Sequence, residues 1–185
     1  MKNLMIAVMG IAACAASPAF AQSTGKVTID GSVAPRCLFT TTPVAIVLGE
    51  MALSGSDTTA GKLNAAKVDG QTKTLVGWCN GSASKMSVKA EALTLTGSTG
   101  TIPGGFDRTV NYTATAVANS VSAIDSSTTV AASSDQTVGL FTGNVVVTLS
   151  SAASPTGGLL VAGDYNGQVL VNLSAAIALP PVTSE

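Results

Sequence analysis

The chain contains no histidine. That removes the side chain most often used for general acid–base work, and the commonest metal ligand as well. Charge is scarce too. Asp, Glu, Lys and Arg make up 10% of the residues, against roughly a quarter in ordinary domains. Nine basic and ten acidic residues leave a formal charge of −1, and the basic ones form no patch, so a nucleic-acid-binding role has no support. Aromatic residues amount to only 4%, with a single tryptophan. Disorder would require high charge and low hydrophobicity, and the 46% hydrophobic content here is the reverse. Ser, Thr, Ala, Val and Gly fill the gap, a composition that points to a β-rich, weakly charged protein.

The ends carry their own signals. Lys2, the apolar run over residues 4–16 and the small-x-small site Ala19-Phe20-Ala21 form a secretory signal peptide over residues 1–21, with cleavage before Gln22. Its apolar run is too short to span a bilayer. Ile11-Ala12-Ala13-Cys14 resembles a lipoprotein cleavage box, so an outer-membrane lipoprotein anchored through Cys14 is the minor alternative to a plain exported protein. Removing Lys2 makes the formal charge one unit more negative. Cys37 and Cys79 then remain, and an even pair in an exported chain most simply forms one disulfide. With no histidine and no C-x-x-C spacing, neither a metal site nor a cofactor is indicated, and no base accompanies a nucleophilic cysteine.

Residues 25–37, GKVTIDGSVAPRC, are the most informative stretch. Val27, Ile29, Gly31 and Val33 alternate with Lys26, Thr28, Asp30 and Ser32, the period of a half-buried strand. It starts almost at the mature N-terminus, so it pairs either with a later element or with another molecule. Downstream, strands are expected over residues 44–48 after Pro43, 72–79, 84–96, 110–116, 143–150 and 165–174. Residues 49–66 read as a long loop with a short helical turn near 60–66. Asn80-Gly81 is a strong turn signal, and Trp78 is expected to pack against the disulfide or a sheet edge. The glycine-rich stretch 97–105 lacks any phosphate-cradling pattern, and residues 118–136 read as an irregular connection. Several short strands, frequent turns and no long helix predict an all-β antiparallel sandwich.

Three features in order resemble the chaperone–usher pilins, the fimbrial subunits of bacterial surface fibres. They are the alternating segment before Cys37, the Cys37–Cys79 separation, and Ala162-Gly163-Asp164-Tyr165 followed by Val169, Val171 and Leu173. Spore coat U-type secreted domains share a similar ending. The resemblance covers both ends and the first half, whereas residues 97–150 match only in strand character. It implies an immunoglobulin-like sandwich lacking its last strand. On that reading residues 22–36 form an N-terminal donor extension, residues 37–174 the sandwich and residues 175–185 an irregular tail. Val27, Ile29 and Val33 would be donor side chains, and Gly31 the point where two backbones approach closely. Tyr165, Val169, Val171 and Leu173 would form the assembly strand. The implied partners are a periplasmic chaperone, an outer-membrane usher and further fibre subunits, and the implied destination is the cell surface by way of the periplasm. Pilins usually end at the final strand with a tyrosine next to last. Here eleven residues follow Ser174 and Ser184 holds that position, which departs from the pattern.

Other readings are weaker. An enzyme would need positioned titratable groups, and Asp107 beside Arg108 reads as a loop ion pair. A carbohydrate-binding or adhesive module would need an exposed aromatic platform, whereas Trp78, Tyr112 and Tyr165 sit in strand contexts suited to packing. A self-complete sandwich of spore coat U type, with residues 27–33 as its own first strand, stays open.

Overall fold

The computed structural model describes residues 24–41 and 44–178. The expected signal peptide with Cys14, Pro43 and residues 179–185 of the tail lie outside them. The chain divides into two units, Met1–Val33 and Ala34–Glu185.

In the first unit, residues 24–33 carry no strand, and Val27, Ile29 and Val33 are 85%, 91% and 85% exposed. Alternation alone supplies an apolar face. A strand also needs a ladder partner for its backbone groups, and none of the described ladders contains these residues.

The second unit is an all-β antiparallel sandwich, nearly closed on itself. Its strands are β1 (Cys37–Phe39), β2 (Thr72–Cys79), β3 (Lys85–Leu95), β4 (Phe106–Asp107), β5 (Thr109–Ala118), β6 (Val121–Ser126), β7 (Gln136–Thr137), β8 (Phe141–Ala153), β9 (Leu159–Leu160) and β10 (Tyr165–Ser174). The order is β1-β2-β8-β5-β3-β10, with β6 on β5 and β7 on β3, while β4 and β9 form a small parallel pair. The long β5 changes sheets along its length. Thr109 and Val110 pair with β3, and after an irregularity near Asn111 residues 113–118 pair with β8 on one side and β6 on the other.

The expected alternation is realised in the long strands. Val110, Tyr112, Ala114, Ala116 and Ala118 of β5 point inward with Met86, Val88 and Ala90 of β3 and Val145, Val147 and Leu149 of β8. Each fully buried Val or Met contributes on the order of 1.5–3 kcal/mol. The alanines of β5 let the two layers close tightly around these larger side chains.

Three local expectations change. The connection over residues 118–136 contains β6, joined to β5 by a two-residue turn at Asn119 (φ 49°) and Ser120 (φ 63°). Such turns favour glycine at the second position, so Asn-Ser gave little signal. The turn expected at Asn80-Gly81 is present, formed over residues 81–84 with the Ser84 N–H donating to the Gly81 carbonyl, and it carries the chain from one sheet to the other. Gly81 is needed there because a Cβ would lie 2.2 Å from the Ala176 carbonyl oxygen. Residues 44–48 form no strand. The stretch 49–66 is pinned by an Ala52–Leu63 bridge, and the helical turn is a 3-10 element at Ala65–Lys67, later than expected.

Candidate functional site

The two sheets meet along two seams that are finished differently. At the seam between β3 and β6, polar side chains replace a ladder. The Ala90 N–H donates to Asp125 Oδ2 at 2.8 Å, and the Val88 N–H donates to Ser133 Oγ at 2.9 Å. Ser133 returns the bond, its own N–H donating to the Val88 carbonyl at 2.8 Å. Asp125 is 6% exposed, takes a further bond from Thr129 Oγ1 at 2.7 Å and lies 3.6 Å from Lys89 Nζ. Burial pushes the Asp125 carboxyl up, but the bonds from Ala90 and Thr129 and the Lys89 charge together outweigh it, and its pKa lies below the ordinary value.

The other seam, between residues 44–52 and β10, is an open groove. Along β10 one edge pairs with β3, placing Val169 opposite Ala90, Val171 opposite Val88 and Leu173 opposite Met86. Among the described residues its other edge has no ladder partner. The groove runs beside that edge in two adjoining parts of about 590 and 780 Å³. The larger part is bordered by residues 46–52 and the chain leading into β10. The smaller is floored by Leu75, Tyr112, Val147 and Leu149 and walled by Val44, Ile46 and Leu48 against Val169 and Val171. Residues 44–48 are thus an apolar run because they wall this groove; no described ladder runs through them.

Its ends are fixed by polar contacts to backbone. The Tyr112 hydroxyl, below the groove, donates to the Glu91 carbonyl at 2.7 Å and lies 3.0 Å from the Gln168 carbonyl, so it ties β3 to β10. Burial pushes its pKa up to about 12. Beside the larger part, the Tyr165 hydroxyl donates to the Val161 carbonyl at 2.8 Å. Asp107 is buried and accepts from Thr156 Oγ1 and the Gly158 N–H, both at 2.9 Å. The expected ion pair with Arg108 does not form, because that carboxylate turns inward while the guanidinium donates to the Gly100 carbonyl at 2.8 Å. Burial alone would raise the Asp107 pKa, but the hydrogen bonds from Thr156, Gly158 and Ser154 bring it below the ordinary value. Both buried carboxylates therefore anchor backbone.

The sequence-singled residues fall into three places. Cys37 and Cys79 are disulfide-bonded, joining β1 to β2 at opposed positions. Tyr165, Val169, Val171 and Leu173 lie on β10, half-buried and packed against the core, and the first three line the groove. Val27, Ile29, Gly31 and Val33 lie in the first unit, with open space around Gly31. Trp78 stands between Leu38 and Thr142 on the face opposite the disulfide, since it alternates with Cys79. Residues sequence reasoning missed are the groove floor, Leu75 and Leu149, whose inward alternation was visible but whose facing gap was not. Among the described residues no buried side-chain nitrogen or oxygen lacks a partner, and no cluster of three or more acidic or cysteine groups is placed to hold a metal. The smaller part of the groove is lined mainly by apolar side chains with Lys73 among them, while Glu50, Asp164 and Asn166 make the larger part more polar. Comparison with protein-family models, with characterised proteins and with solved structures finds no match for this chain.

Proposed function

We propose that this protein is a structural subunit of a bacterial surface fibre that polymerises by strand donation. The domain is read as an immunoglobulin-like sandwich short of one strand, with the N-terminal segment of another copy supplying it. One observation carries the reading: an apolar groove lies beside the unpaired edge of β10, while the same chain exposes Val27, Ile29 and Val33 at two-residue spacing. An added strand satisfies the free backbone groups of β10, and alternate side chains enter the groove, the chemistry of β-augmentation. An unpaired edge next to apolar surface is an aggregation hazard. A periplasmic chaperone that covers it and an outer-membrane usher that exchanges cover for donor suit that need. The protein is then exported and oxidised at Cys37 and Cys79 before assembly, and its work is mechanical, without a catalytic step.

The test compares mature protein with a form lacking residues 22–33. The full-length protein is expected to form SDS-resistant oligomers and the truncated form none, and a peptide of residues 25–33 should raise the melting temperature of the truncated form. A stable full-length monomer that truncation merely destabilises would show that the segment is an internal strand.

A further inference from the structure

The outward residues of β2, β8, β5 and β6 form one continuous sheet face, and not one of them is charged. Register aligns them into rows across the four strands. Thr72, Thr148, Thr115 and Ile124 form one row, and Thr74, Val146, Val117 and Ser122 the next. Ser150, Thr113 and Ser126 continue the pattern on one side. Val76, Val117 and Ile124 are exposed at 36%, 37% and 57%. The outward side of β3 and β10 is different, carrying Lys85, Lys89, Glu91 and Gln168 with Asp135 beside Lys85.

We infer that the uncharged face is a self-association surface, on which a second copy of this chain stacks its own equivalent face. The reasoning is chemical. Methyl and hydroxyl groups without charge offer nothing to an ionic partner. The only aromatic residue on the face, Trp78, stands half-buried at its margin, so there is no central platform for a sugar ring. A surface of the same kind fits without burying an ion, because two such sheets pack about 10 Å apart with small β-branched side chains interdigitating. Strands about 4.8 Å apart and outward residues about 6.8 Å apart along each strand give a face of roughly 19 by 27 Å. Two faces together bury on the order of 1,000 Å², at the lower limit of a specific interface. A single contact is weak. Repeated along a fibre it becomes strong through multivalency, so lateral bundling of fibres follows; this last step rests on the fibre reading.

Sedimentation of the purified mature protein at rising concentration tests the face. Thr115→Lys places a charge at its centre and Thr74→Lys a second one at an exposed position, while Ser134→Lys places the same charge in the exposed loop before β7. The wild type is expected to associate reversibly. Both face variants should weaken that association at least ~100-fold, since an unpaired charge would be buried on each side of the contact; Ser134→Lys should not. SDS-resistant ladders, which report strand donation, should be the same in all four proteins. A wild type that shows no reversible association overturns the inference, as do face variants that associate like the wild type or a loop variant that weakens association as much. If ladders are absent throughout while the face variants alone abolish association, the face stands and the fibre reading falls.

Discussion

Replacing Asp125 by alanine removes the link that closes the seam between β3 and β6. The Ala90 N–H loses its acceptor in a position where the whole residue is inaccessible to water. An unsatisfied buried donor costs about 1–3 kcal/mol, and a hydrogen bond to a charged acceptor is itself worth about 1.5–3 kcal/mol. Thr129 keeps a bond to the Ser126 carbonyl, and the partly exposed Lys89 regains water, so neither adds much. The expected loss is about 2–4 kcal/mol, a large fraction of the 5–15 kcal/mol typical of a domain. In a thermal scan followed by far-ultraviolet circular dichroism it should appear as a drop of about 4–16 °C. The pH dependence has a definite sign. The folded Asp125 carboxyl titrates below its ordinary value of 3.8, so its contribution is present above that pH and is lost as the pH falls through the folded pKa. Urea midpoints of the wild type should therefore fall steeply below about pH 4, and those of Asp125→Asn less so. A loss under ~1 kcal/mol for Asp125→Ala, or identical acid profiles, would refute the view that this carboxylate closes the seam.

Asp107→Ala should cost a similar ~2–3 kcal/mol by stranding the Thr156 and Gly158 donors, read as a lowered urea midpoint, with the same acid-side sign because its folded pKa is also depressed. Tyr112→Phe should cost about 1 kcal/mol in chemical denaturation by freeing the Glu91 carbonyl. In the wild type, ultraviolet titration should show Tyr112 still protonated at pH 10. Its stabilising contribution is present below pH 10 and is lost as the pH rises towards about 12. Reducing the Cys37–Cys79 bond, which spans a sequence separation of 42, should lower stability by up to ~4 kcal/mol, measured as a shift in urea midpoint with and without reductant.

The sandwich was legible in the sequence where strands are long and half-buried. Inward Val110, Tyr112, Ala114 and Ala116 alternate in the chain as they do in the core, because burial on one face imposes a period of two. Elements defined by partners outside their own segment were less legible. β6 was hidden behind a turn of Asn119 and Ser120 and a strand core as small as Ala123 and Asp125. Asp107 read as an ion pair because its neighbour in sequence is Arg108, whereas its bonding partners are Thr156 and Gly158, some fifty residues away. Residues 44–48 and 27–33 both have strand patterns, yet no described ladder runs through either. Side-chain period reports a face that wants burial and says nothing about which backbone will meet it.

The contrast between the two seams makes the groove informative. A chain merely short of material leaves both seams ragged, with polar groups turned to water. Here one seam is closed by buried side-chain acceptors placed on Ala90 and Val88, while the other is lined by Leu75, Leu149, Val169 and Val171 beside a bare strand edge. Polar closure needs only the chain itself, since Asp125 and Ser133 bring their own acceptors. An apolar seam beside free backbone groups suits an added strand, because water answers the backbone but not the side chains. The chain that leaves this seam open also carries Val27, Ile29 and Val33 in the spacing such a strand requires. On the proposed strand-donation reading, the exposed segment and the groove have matching chemistry within one sequence, which is the condition for copies of the same chain to complete one another.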